Sequence, residues 1–237
     1  MEIPYAMCAV SAANVTFALE KRSAADPRLC GGDVFEVHRH GSEGSTFLLA
    51  DVSSKGDLGR RHAELVRRRF RAAAHAERSP ARILSALNRI VFDGRRNSGN
   101  ATFASAIVAT VDRRRQVLTY SSGGHEAGIL IRDENHRHLL ADGPVLGVVP
   151  AAAFLDRVEV FDRRARLVVA TDGFTECREP SGRRRQFGTA GIVSAALSAP
   201  RSSCGFMARS IALSADRFTA QTYRDDATLA VVALNET

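Results

Sequence analysis

The chain has 237 residues, 45% of them hydrophobic, with no tryptophan and a formal charge of +7. That length fits a single α+β domain over residues 1–237, and the hydrophobic fraction is that of a globular protein with a full core. No apolar run approaches the roughly 18 residues of a membrane span, the start of the chain lacks the pattern of a secretory signal, and Cys8, Cys30, Cys177 and Cys204 show no CxxC spacing. The expectation is a cytoplasmic protein with free thiols and no disulfide framework or zinc site.

Taken in order, residues 14–20 read as a first strand, followed by a loop. Gly31-Gly32-Asp33 opens a second strand, 34–38, and the buried run 46–50 ends in Asp51. A loop, 53–57, leads to a helix with Asp57 as its expected N-cap. Leu58, Leu65, Val66, Phe70 and Ala73 fall near helical spacing on it. Ser79-Pro80 starts a second helix that ends near Asp93-Gly94. Strands are expected at 102–111 and 116–121, joined by a turn at 112–115. More follow at 127–131 and about 136–140, and then at 157–161 and 166–171 as a further pair. Helices are expected at 188–197 and 204–217, and a closing strand at 227–233. Short turns between strands imply antiparallel sheets, and helices segregated from them imply a layered α+β fold.

The basic charge is almost all arginine: of 33 basic residues only Lys21 and Lys55 are lysines. Such a bias follows from a GC-rich genome as readily as from function. The functional reading is an acidic or phosphorylated partner, because the guanidinium suits phosphate and carboxylate. The runs at 113–115 and 183–185 carry no interleaved aromatic residues, which argues against nucleic acid.

The stretch 166–176, RLVVATDGFTE, is an apolar strand that delivers Asp172 at its tip. Alone, it reads first as a strand and a solvated Asp-Gly turn. The run ending in Asp51 repeats the design, while Asp33 and Asp225 (or Asp226) begin strands. In an antiparallel sheet the end of one strand lies beside the start of its neighbour, so these acids can reach one edge of the fold. Gathered there, they repel one another without a cation, and a set of oxygen donors with no His or Cys favours Mg²⁺ or Mn²⁺.

The ordered set GGD, ADVSSKGD, SGGH, DGPVLGV, VVATDGFTE, FG and RDDATLAVV, from about Gly31 to Val232, resembles the SpoIIE-type branch of the metal-dependent protein phosphatase (PPM, type 2C-like) superfamily. The resemblance implies a four-layer α-β-β-α sandwich, two antiparallel sheets flanked by helix pairs. It also implies two Mn²⁺ or Mg²⁺ ions and hydrolysis of phosphoserine or phosphothreonine by a metal-bridged hydroxide. Asp33 and Asp51, with the backbone carbonyl of Val52, would bind or bridge the ions, and Asp172 and Asp225 would hold the second; Asp226 ranks below Asp225. The implied substrate is a phosphorylated regulator of a bacterial partner-switching pathway, a STAS-type anti-sigma-factor antagonist. The competing reading is a catalytically weak binding module of the same fold.

Smaller expectations attach to single residues. Ser54 stands where the family commonly has glycine. His125 is expected to be a hydrogen-bonded turn histidine, Lys55 a solvated loop residue, and Arg22, Arg28 and Arg39 candidates for contacting substrate phosphate. Glu176 is an even choice between a supporting role at the site and none.

Overall fold

The aliphatic runs pair into two antiparallel sheets in the computed structural model, which describes residues 6–12, 14–26, 28, 30–98, 102–126, 128–180, 185–200 and 203–235. Six strands make the first sheet: β1 (Ala6–Ala12), β2 (Val15–Arg22), β11 (Ala227–Leu234), β10 (Ala165–Ala170), β7 (Ile129–Arg132) and β8 (Asn135–His138), in that spatial order. The second sheet runs β3 (Asp33–Arg39), β4 (Gly44–Val52), β5 (Ala104–Asp112), β6 (Val117–Gly123) and β9 (Arg157–Val160).

Side chains on a strand alternate between faces, and the central strands are buried on both. In β4, Phe47 and Leu49 join the layer between the sheets, while Leu48, Ala50 and Val52 face the other way. They pack beneath α1 (Gly56–Ala76) and α2 (Pro80–Ser98), with Val66, Phe70, Leu84 and Leu87. In β10, Leu167 and Val169 point between the sheets; Val168 and Ala170 meet α4 (Gly188–Leu197) and α5 (Cys204–Thr219) through Ile192, Met207 and Ile211. Continuous apolar runs, rather than alternating ones, are what strands covered on both faces require. The order of layers is therefore helices, sheet, sheet, helices, as expected.

Four local expectations differ from the structure. A strand, β1, precedes the one expected at 14–20 and pairs with it from Ala6↔Lys21 to Ala12↔Val15. The strands at 157–161 and 166–171 do not pair: β9 joins β6, and β10 joins β7 and β11, so residues 161–164 carry the chain from one sheet to the other. The N-cap of α1 is Lys55, and Asp57 lies in the first turn, ion-paired with Arg60. Helix α2 starts where expected but runs past Asp93-Gly94 to Ser98. Of the two arginine runs, residues 113–115 form the β5–β6 turn, whereas 183 and 184 lie outside the described residues. Cys30, Cys177 and Cys204 are free thiols; the side chain of Cys8 also lies outside the described set. Among the described residues no helix is long and apolar enough to cross a membrane.

Candidate functional site

Asp33 opens β3 and Asp51 lies one residue before the end of β4, and the two are register partners. From the other sheet, β10 ends at Ala170, and Asp172 opens the one-turn helix α3 (Asp172–Thr175). Asp225 and Asp226 immediately precede β11. Gly173 brings these two segments together, because a Cβ there would lie 2.0 Å from the Asp226 carbonyl oxygen. Only glycine permits that approach.

The sheets are joined at this edge by side chains. The Thr171 hydroxyl donates to Asp33 Oδ2 at 3.0 Å and accepts from the Thr228 amide at 2.9 Å. Lys55 Nζ donates to Asp225 Oδ1 at 2.7 Å and stands 3.6 Å from Asp51 Oδ1. The expectation of a solvated Lys55 is corrected: its ammonium is a bridge between carboxylates of opposite sheets. Among the described residues no three acidic, histidine or cysteine side chains are drawn close enough to form a ready metal cage.

The electrostatics are those of crowded acids. Burial, then the charge of Asp51, holds Asp33 well above the usual carboxylate range, against hydrogen bonds from Thr228 and Thr171. Burial also raises Asp51 to about 6; Lys55 opposes this, and Asp172 and Asp225 add to it. In both, burial is the larger cause and the neighbouring carboxylates add to it.

The residues fit a hard cation. Asp51 Oδ1 is buried and accepts no hydrogen bond among the described residues. A Cβ added at Gly32 would lie 2.5 Å from that oxygen and 2.7 Å from the Val52 carbonyl oxygen, so both face one small space that the glycine leaves open. An all-oxygen donor set of this kind suits Mg²⁺ or Mn²⁺. Asp226 is differently engaged: its two oxygens accept from the backbone amides of Ala24 and Gly31 and tie the β2–β3 loop to the start of β11.

The three described cysteines do not compete for a catalytic role. Burial pushes the Cys177 thiol up to about 12 and raises Cys30 and Cys204 as well, so none is a ready thiolate. His125 is buried, and its Nδ1 donates to the Glu126 carbonyl at 2.6 Å, the behaviour expected of a turn histidine. Glu176 caps α3, its amide donating to the Asp172 carbonyl.

The three arginines expected as candidates for contacting substrate phosphate are placed apart from one another. Arg22 is 3% exposed and forked onto Asp216 at 2.9 Å, with Glu20 also at 2.9 Å; it is walled off from any substrate. Arg39 lies at the far end of β3 from Asp33, about 20 Å away along the strand. Arg28 is exposed and paired with Asp26. Arg178 and Arg224 instead line a cleft of about 260 Å³ with Asp172, Glu176, Thr222 and Asp225. Arg224 was within reach of sequence reasoning, since it directly precedes Asp225-Asp226. Arg178 was not, because the turn after α3 had no expected shape.

Residues 42–235 match the family described as Stage II sporulation protein E (SpoIIE). Over 142 residues, 59% of this chain, the sequence is 26% identical to the phosphoserine phosphatase RsbU of Bacillus subtilis and spans 42% of that protein. The fold is similar to that of the RsbU and RsbW domains of Rv1364c from Mycobacterium tuberculosis, with a TM-score of 0.78 at 22% identity, covering 98% of this chain and 64% of that one. It is also similar to RsbX crystallised in complex with magnesium, with a TM-score of 0.72 at 16% identity, covering 97% of this chain and all of that one. The chain thus spans less than two thirds of the RsbU and Rv1364c chains.

Proposed function

The chain belongs to the SpoIIE family, and from that premise we propose that it is a metal-dependent phosphatase of phosphoserine or phosphothreonine in a protein substrate. The observation that carries the reading is Asp51 Oδ1, buried with no hydrogen bond among the described residues and only the Lys55 ammonium 3.6 Å away, facing with the Val52 carbonyl the space beside Gly32. In this reading Asp33, Asp51, the Val52 carbonyl, Asp172 and Asp225 hold two Mg²⁺ or Mn²⁺ ions, and Asp226 anchors the adjoining loop. Bound ions of this kind neutralise phosphoryl oxygens and lower the pKa of a water that attacks phosphorus.

The chain's own residues supply the rest. The hydroxyl of Thr171 donates to Asp33 Oδ2 and fixes the orientation of that carboxylate. Arg178 and Arg224 border the cleft and offer the phosphate monoester charge-assisted hydrogen bonds. No side-chain nucleophile takes part, consistent with thiols held protonated. RsbU is named a phosphoserine phosphatase, and we extend that chemistry to this chain. A STAS-domain regulator, acting in the cytoplasm, is the proposed substrate.

The test is turnover of a phosphoserine peptide and of para-nitrophenyl phosphate with Mn²⁺ or Mg²⁺, repeated after chelation. Metal-dependent turnover that Asp172→Asn abolishes is expected. A folded sample with no metal-dependent turnover of either compound overturns the reading.

A further inference from the structure

The chain has only two lysines, Lys21 and Lys55, and the second lies among the carboxylates. Lys21, on β2, is paired in register with Thr228 and feels the charges of Asp33 and Asp226. Lys55 reaches further in: its ammonium bonds Asp225, approaches Asp51 Oδ1, and lies 3.4 Å from where a Gly32 Cβ would stand. The ammonium therefore borders the same space that Asp51 Oδ1 and the Val52 carbonyl face. Its side chain keeps a quarter of its exposure, and as the N-cap of α1 it makes no capping hydrogen bond. It is committed to these carboxylates and has an open path to solvent.

We propose that Lys55 is a displaceable counter-cation. Its ammonium holds Asp51 and Asp225 in place across the two sheets before a divalent ion arrives, and the ion expels it. The inference rests on the metal-site reading above and gives Lys55 a positioning role within it. Ammonium and divalent ion would compete for these oxygens, since like charges at such distances repel strongly in a partly desolvated cleft. The residue type fits the task. Lysine is a compact point charge on a flexible stem, whereas arginine would clamp a carboxylate bidentately and be harder to dislodge.

The experiment measures Mn²⁺ binding to the full chain by titration calorimetry, for wild type, Lys55→Met and Lys55→Arg. Lys55→Met should bind Mn²⁺ about tenfold more tightly, since a competitor has gone, and Lys55→Arg about tenfold more weakly. A merely structural salt bridge gives the opposite sign for Lys55→Met. A second measurement uses the scarcity of lysine. Reductive ¹³C-dimethylation preserves the charge and labels Lys21, Lys55 and the terminal amine, and the Lys55 signal is assigned by its loss in Lys55→Met. Added Mg²⁺ should move that signal to the position of a solvent-exposed lysine. Equal or weaker Mn²⁺ binding by Lys55→Met, or a Lys55 signal that Mg²⁺ leaves in place, overturns the inference while wild-type Mn²⁺ binding leaves the site reading standing. Folded wild type that takes up no Mn²⁺ overturns both.

Discussion

Asp33 and Asp51 face each other as direct partners across the β3–β4 ladder, a position where like charges destabilise a sheet. Both carboxyls are raised above their ordinary range, Asp51 to about 6. An acid raised on folding costs stability when ionised, so the penalty is full above the folded pKa and relieved as pH falls toward the unfolded one. For Asp51 alone the relief between pH 7 and pH 4 is on the order of 2–3 kcal/mol. Without metal, the Asp51 contribution, read as the stability of wild type relative to Asp51→Asn, should therefore grow as pH drops from 7.5 through 6, while the burial-lowered His38, His40, His62 and His125 oppose that trend in the protein as a whole. Thermal melts in chelator at pH 5, 6 and 7.5 check this; with saturating Mn²⁺ the trend should reverse, because the ion needs the ionised acids.

Asp172 is exposed at the first position of α3, so its charge is separable from the fold. Asp172→Asn should change stability by no more than about 0.5 kcal/mol. Mn²⁺-dependent phosphatase activity should fall by at least about 100-fold, roughly 2.7 kcal/mol of transition-state stabilisation. Melting curves and para-nitrophenyl phosphate kinetics on one preparation separate the two effects.

Gly173→Ala tests the contact between the two acid-bearing segments. The new methyl would collide with the Asp226 backbone carbonyl, 2.0 Å from the Cβ position. Backbone cannot yield as a flexible side chain does, so α3 and the start of β11 must part. A stability loss of about 1–3 kcal/mol is expected, together with loss of Mn²⁺ affinity in calorimetry. Retained affinity would show that Asp172 and Asp225 need not adjoin.

Arg224→Ala and Arg178→Ala should raise KM for a phosphoserine peptide with a smaller effect on kcat, since each lost charge-assisted hydrogen bond contributes roughly 1.5–3 kcal/mol. Arg22→Ala should act on stability instead. It leaves Asp216 buried without its cation and Glu20 with only Arg209, at a cost of about 3–5 kcal/mol. Steady-state kinetics for the first pair and urea melts for Arg22 distinguish these roles.

The layers were legible because their pattern is local. Runs such as 46–50 and 167–170 are continuously apolar, and only strands covered on both faces need that. Acids at strand tips were legible for the same reason, and the Asp33–Asp51 pairing follows from antiparallel geometry. What was not legible depends on contacts between distant segments. Nothing near Arg22 announces Asp216, which lies on α5, 194 positions away. Nothing in 157–171 marks the crossing between sheets, because a short turn serves a hairpin and a crossover alike. Lys55 looked like a loop residue because its partner Asp225 is 170 positions distant.

The Thr171–Asp33 hydrogen bond and the Lys55–Asp225 pair both run from one sheet to the other. An ion held by Asp33, Asp51, Asp172 and Asp225 would do the same with greater strength, as a clasp on one edge of the sandwich. Ligation would then be felt mechanically as well as chemically: the resistance of the two halves to being pried apart should rise with the logarithm of free metal concentration, and a chelator should open that edge to proteolysis before the rest of the fold gives way.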